Sequence, residues 1–174
     1  FEIAARSVTA EIVGGEFYDV ISLADDLFVV VVADATGHGL PAALQVRDVF
    51  TGLRMGLSRE FKLTATVERL NRIIHRSRLA TKFVSLFLAE MHANGTVLYC
   101  NAGHPPTLLI HSDGLTDRLQ TGGLIIGPTP SATYEIGVVN RAHASHGVSR
   151  LVVDGKPVPV GSAGAVIPDL RDGK

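Results

Sequence analysis

Residues Val29 to Leu44 read VVVVADATGHGLPAAL, and this stretch decides the fold. Four valines and Ala33 make a strand-length apolar run, rich in β-branched residues, that ends on an acid, Asp34. Gly37-His38-Gly39 then interrupts the pattern, and Pro41 stands where the first turn of a helix tolerates it. A buried strand therefore delivers an aspartate to a tight turn. An Asp in that position is a turn former or helix cap, or else a ligand, and the flanking sequence has to distinguish them.

Upstream, Phe17 to Leu23 (FYDVISL) is also aromatic and β-branched, and Ala24-Asp25-Asp26 reads as a hairpin turn, so this strand pairs antiparallel with Leu27 to Ala33. Downstream, Ala42, Ala43, Val46, Val49, Phe50, Leu53 and Leu57 recur at helical spacing and predict one amphipathic helix ending near Gly56 to Ser58. Thr64 is the expected cap of a second helix, with Val67, Leu70, Ile73 and Ile74 on its apolar face and Arg69, Arg72 and Arg76 near the other. Strand signals resume at Phe83 to Met91, turn at Ala93-Asn94-Gly95 and return over Thr96 to Asn101. Thr107 to His111 and Asp117 to Gln120 flank a further turn at Ser112-Asp113-Gly114. After Tyr134 only Ser149 to Val153 makes a clear strand. Strand pair, helix pair and strand meander, in that order, predict a layered fold with helices covering one face of antiparallel sheet.

The bulk numbers narrow the function. With 46% hydrophobic residues among 174, the chain buries the core of one domain of ordinary size. A formal net charge of -1 and a pI near 6.7 exclude the basic field that nucleic acid or an anionic membrane would require. No apolar run reaches the roughly 18 residues of a membrane span, and none follows a basic segment as in a signal peptide. Cys100, the single cysteine, has no disulfide or zinc partner, reads as a small buried strand residue and points to a reducing, cytoplasmic setting. The chain opens at Phe1 and stops at Lys174 after an Asp-Gly turn, and both ends read as cut from something longer.

Two carboxylates carry the chemistry. Asp19 lies inside the first strand and Asp34 ends the second, and in a short hairpin the start of one strand meets the end of the other. Carboxylates held close need a cation between them, and oxygen ligands suit a hard ion such as Mg²⁺ or Mn²⁺. Gly14-Gly15 and Gly37-His38-Gly39 let backbone approach a ligand, with His38 read as a turn residue.

Taken together, VGGEFYDV, VADATGHGLPAAL, NAGHPPTLLI and TGGLIIGPTPSATYE resemble four successive signatures of the PPM-type metal-dependent serine/threonine phosphatases, in their SpoIIE and RsbU-like branch. The resemblance covers roughly Phe1 to Ile136 and implies an α+β fold: a two-sheet antiparallel β-sandwich flanked by helices in αββα layers, incomplete at the C-terminus. It implies two Mn²⁺ or Mg²⁺ ions at one edge of the sandwich, with Asp19, Asp34 and the backbone carbonyl of Ala35 among their ligands and no catalytic side chain beyond these. It further implies dephosphorylation of phosphoserine or phosphothreonine on a regulatory protein such as an anti-sigma-factor antagonist. Glu16 stands where the family usually has Asp, and is not assigned to the metals. No intact Thr-Asp-Gly motif follows Tyr134; Asp113 sits in a hairpin turn, and Asp154, at the end of an apolar strand, reads either as a turn residue or as the missing ligand.

The expected boundary follows: residues 1–137 a truncated phosphatase domain, 138–174 a tail. The stretch VVNRAHASHGVSRLVVDGKPVPVGSAGAVIPDLRDGK resembles the C-terminal β-domain of cellobiose phosphorylase and cyclic glucan synthase-type enzymes, which leaves a carbohydrate-active fragment as a remote alternative. A shell of two carboxylates predicts weak Mn²⁺ binding and impaired turnover. The competing reading is a catalytically silent module that keeps the fold and binds a partner.

Overall fold

A computed structural model of the chain describes residues 3–5, 14–57, 62–77, 83–111, 114–140 and 150–152. The elements run β1 (Glu16–Ala24), β2 (Leu27–Ala35), α1 (Gly39–Gly56), α2 (Leu63–Arg76), β3 (Val84–His92), β4 (Thr96–Ala102), β5 (Thr107–Ile110), β6 (Thr116–Leu119), β7 (Gly122–Gly123), β8 (Gly137–Asn140) and β9 (Arg150–Val152). They form two sheets. The larger runs β1-β2-β3-β4-β7 with β8 also on β4, and the smaller runs β6-β5-β9. Pairing is antiparallel apart from the short parallel contact of β4 with β7.

The apolar run that ends on Asp34 is strand β2, with its two faces covered unequally. Leu27, Val29, Val31, Ala33 and Ala35 are buried on one side of β2, while Phe28, Val30 and Val32 are partly covered on the other. Each face meets its own core. On one side the helices close over the larger sheet, bringing Val49 and Leu53 of α1 and Val67, Leu70 and Ile74 of α2 together with Val29, Val31, Leu86 and Leu88. On the other side Phe87, Ala89, Val97 and Tyr99 pack on Leu109 and Leu119 of the smaller sheet. Among the described residues the layers are therefore helix pair, larger sheet, smaller sheet: the expected two-sheet α+β sandwich, with helices on one outer face rather than the αββα arrangement with helices on both.

Local expectations hold with two adjustments, both in the second helix. Helix α1 starts at Gly39, so Pro41 lies within its first turn, where its missing N–H costs nothing. Thr64 is not the cap of α2: Lys62 takes that position, without a side-chain cap hydrogen bond, and Thr64 lies inside the helix. Ile73 is exposed because Leu70, Asn71 and Ile74 define the buried stripe. Asn71 is buried for a purpose. Its Oδ1 accepts from the Gly127 N–H at 2.8 Å and its Nδ2 donates to the Thr129 carbonyl at 2.7 Å, fastening the IIGPTP loop to α2.

One strand straddles the boundary expected at residue 137 and another lies beyond it. β8 pairs with β4 in the larger sheet and β9 with β5 in the smaller one. Asp113 and Asp154 are outside the described residues.

Candidate active-site edge

The site is built at the end of β2, where strand meets turn. Asp34 pairs with Glu16 of β1 on one side and with Ser85 of β3 on the other. Directly opposed residues of antiparallel strands project to the same face, so Glu16, Asp34 and Ser85 form a row across three strands. Glu16 and Asp34 are exposed, Ser85 is buried. The row lies on the face that carries Phe87 and Ala89, toward the smaller sheet.

The backbone here is pinned from both sides. Ala35 N–H donates to the Gly15 carbonyl at 2.9 Å and Thr36 N–H to the Phe83 carbonyl at 2.8 Å. Thr36 Oγ1 also donates to that carbonyl at 3.1 Å and accepts from the Phe83 N–H at 2.8 Å. Gly15 is needed where it stands: a Cβ there would lie 2.8 Å from the Ala35 carbonyl oxygen. Gly37 and Gly39 take φ of 97° and 70°, a left-handed region that releases the chain from β2 into α1. His38 between them holds the N-cap position of α1 with extended backbone and no side-chain cap bond.

Asp19 is placed differently from the expectation. It pairs with Val31, three register positions from the Glu16–Asp34 pair. By alternation its side chain is on the helix side of β1, opposite to the face of Asp34. There Arg54 of α1 grips it with two hydrogen bonds, Nε to Oδ2 and Nη2 to Oδ1, each 3.0 Å. The same guanidinium lies 4.7 Å from the centre of the Phe50 ring, and Phe50 meets Phe17 edge-on at 6.1 Å. The structure thus does not bring Asp19 and Asp34 together; it brings Glu16 to Asp34.

One irregularity decides this. The β1–β2 register shifts between Ser22 and Ala24. Had the Ala24–Leu27 register continued, Asp34 would stand opposite Phe17 and on the side of Asp19; the shift of one residue exchanges the faces. Ala35 keeps its side chain buried and its carbonyl oxygen against Gly15. Two carboxylates side by side match, in donor type, what a hard divalent cation takes. Among the described residues no three His, Cys, Asp or Glu side chains converge into a metal cluster.

A buried polar chain backs the row. Ser85 Oγ lies 3.4 Å from the Asp34 carbonyl oxygen and 2.9 Å from Nδ1 of His104. Asn101 Oδ1 accepts from the His104 N–H at 2.8 Å, and Asn101 Nδ2 donates to the Leu119 carbonyl at 3.2 Å. Asn101 and His104 come from the NAGHPP segment, which the sequence marks as a motif without showing what its side chains touch.

Comparison with known proteins agrees with this architecture. The family model for stage II sporulation protein E (SpoIIE) matches residues 24–143. The chain is 28% identical over 169 residues to protein IcfG of Synechocystis sp., an alignment covering 78% of this chain and 26% of that protein. It is 24% identical over 136 residues to phosphoserine phosphatase RsbU of Bacillus subtilis, covering 77% of this chain and 40% of that one. The solved RsbU and RsbW domains of a Mycobacterium tuberculosis protein superpose with a TM-score of 0.64 at 27% identity, covering 76% of this chain and 38% of theirs. The chain thus spans well under half the length of each of these relatives. With the family model matched from the last residue of β1 through β8, both helices included, the chain belongs to the SpoIIE family.

Proposed function

We propose that this chain is the core of a metal-dependent protein phosphatase that removes phosphate from phosphoserine or phosphothreonine on a regulatory protein. The observation that carries the reading is the Glu16–Asp34 pair: two exposed carboxylates, directly opposed on one sheet face, at the mouth of the turn that opens α1. Like charges directly opposite destabilise a sheet, and a site that keeps them is suited to a cation. Asp34 and Glu16 would hold Mn²⁺ or Mg²⁺ together with the Ala35 carbonyl. Such an ion lowers the pKa of a bound water and offsets charge on the phosphoryl oxygens.

The chain's own contribution is to orient. The paired amides of Ala35 and Thr36 fix the backbone, and the left-handed Gly37 and Gly39 turn the chain from Asp34 into α1. Arg54 holds Asp19 against α1, so in this reading Asp19 ties the helix to the sheet rather than serving the cation. Asp154 is the candidate for a further ligand, because it follows by two residues a strand that pairs with β5. The phosphoprotein is an anti-sigma-factor antagonist in this proposal, by analogy with the RsbU and RsbW domains of the mycobacterial relative.

Hydrolysis of p-nitrophenyl phosphate with Mn²⁺ tests the reading, with Asp34→Asn, Glu16→Gln and Asp154→Asn beside the wild type. Loss of turnover in Asp34→Asn is expected, and full activity in that variant would sink it. A silent partner-binding module is the second reading, favoured by the lack of a three-ligand cluster among the described residues. Calorimetric titration with Mn²⁺ separates the two: micromolar binding with turnover rejects the silent module.

A further inference from the structure

We propose that His104 is a positioning residue: through Ser85 Oγ it fixes the end of β2 that carries Asp34. This rests on the reading of Asp34 as a ligating carboxylate. Ser85 is the direct cross-strand partner of Asp34. Its hydroxyl is held between the Asp34 carbonyl oxygen, at 3.4 Å, and His104 Nδ1, at 2.9 Å. A serine hydroxyl has one proton to give. Both contacts are made at once when His104 carries its proton on Nδ1 and donates to Ser85 Oγ, while Ser85 donates to Asp34. The chain of donors then runs in one direction, from the loop after β4 to the strand end.

His104 is itself held. Asn101 Oδ1 accepts its backbone N–H, and Asn101 in turn donates to Leu119 of the smaller sheet. Exposures of 8% for Ser85, 6% for His104 and 4% for Asn101 mean that water does not compete for these contacts. Buried polar chains of this kind rigidify when fully satisfied and are costly when one member is lost. Both sheets therefore brace the strand end that bears Asp34.

Amide hydrogen exchange reads this without relying on activity. The Ala35 and Thr36 amides, bonded to Gly15 and Phe83, report opening of the strand end, and the Val31 amide reports opening of the body of the same strand. Ser85→Ala and His104→Leu are each expected to speed exchange at Ala35 and Thr36 about tenfold relative to Val31. His104→Asn, whose amide N–H takes the place of Nδ1–H, restores slow exchange. The double variant is no worse than the worse single one, because both changes cut one chain. Unchanged relative exchange in both Ser85→Ala and His104→Leu overturns the proposal, even in a chain that hydrolyses phosphate normally. Accelerated exchange in a chain whose wild type shows no Mn²⁺-dependent hydrolysis supports the positioning role and rejects the phosphatase reading. In an active chain the Mn²⁺ concentration for half-maximal turnover rises with the exchange rate and falls back in His104→Asn.

Discussion

Glu16 stands directly opposite Asp34 across the β1–β2 ladder, so two carboxylates share one face of the sheet at its open end. Like charges directly opposed across a ladder repel each other. In the presence of EDTA, Glu16→Gln or Asp34→Asn is expected to raise stability by roughly 0.2–1 kcal/mol through relief of cross-strand repulsion. Mn²⁺ reverses the order: saturating metal raises the thermal midpoint of the wild type and not that of either variant. Differential scanning fluorimetry with and without Mn²⁺ checks both signs, and equal metal-induced shifts in all three proteins would reject the pair as a binding site.

Arg54 meets Asp19 in a two-pronged arrangement, with the aspartate side chain only 14% exposed. Exposed ion pairs contribute about 0–1 kcal/mol. This one also stacks on Phe50 and leaves a partly buried carboxylate behind when broken. Arg54→Ala is therefore expected to cost about 1–2 kcal/mol, discounted for the half-exposed guanidinium. Arg54→Lys recovers less than half, because an ammonium cannot make both bonds. Urea denaturation of the three proteins gives the comparison.

Gly15→Ala places a Cβ 2.8 Å from the Ala35 carbonyl oxygen and 3.2 Å from Ala42 Cβ. Backbone must move to admit it. A loss of about 1–3 kcal/mol is expected, together with faster amide exchange at Ala35, whose N–H bonds the Gly15 carbonyl.

Alkaline pH weakens the fold through two groups. Burial pushes the Cys100 thiol from 9.0 up to about 12, and burial, with Cys100 and Glu68 adding to it, pushes the Tyr134 hydroxyl from 10.0 up to about 12. The unfolded chain releases these protons first. Their stabilising effect is thus complete below about pH 9 and lost as pH rises toward 12, by about 1.4 kcal/mol per pH unit for each proton released. Unfolding midpoints at pH 8 to 11 are expected to fall most steeply above pH 10, and less so in Tyr134→Phe. At pH 8 the Cys100 thiol reacts with a disulfide reagent only as fast as the chain opens.

Glu16 shows how far the motif reading carries. VGGEFYDV and ADATGHG mark the right neighbourhood, and Asp34 sits at the predicted strand end. Which acid of the first strand joins it could not be read, because one residue of register exchanges every side chain between faces. His104 and Ser85 were equally hidden: 19 residues separate them, and nothing local in NAGHPP or FVSLFL announces a shared hydrogen bond.

The sequence by itself determined the elements and their order. The continuous β-branched apolar run over Leu27 to Ala33, the helical period over Ala42 to Leu57, and the Asn94-Gly95 turn are local signals, and local backbone preference follows from them. It determined the family as well, since four motifs in order need no coordinates. Only the tertiary structure decided the faces and the partners. The register shift at Ser22–Ala24 turns Asp34 toward Glu16 and leaves Asp19 to Arg54 on α1, 35 residues away. Such pairings are set by the packing of helices on one side of the sheet and of a second sheet on the other, and packing is a property of the whole chain.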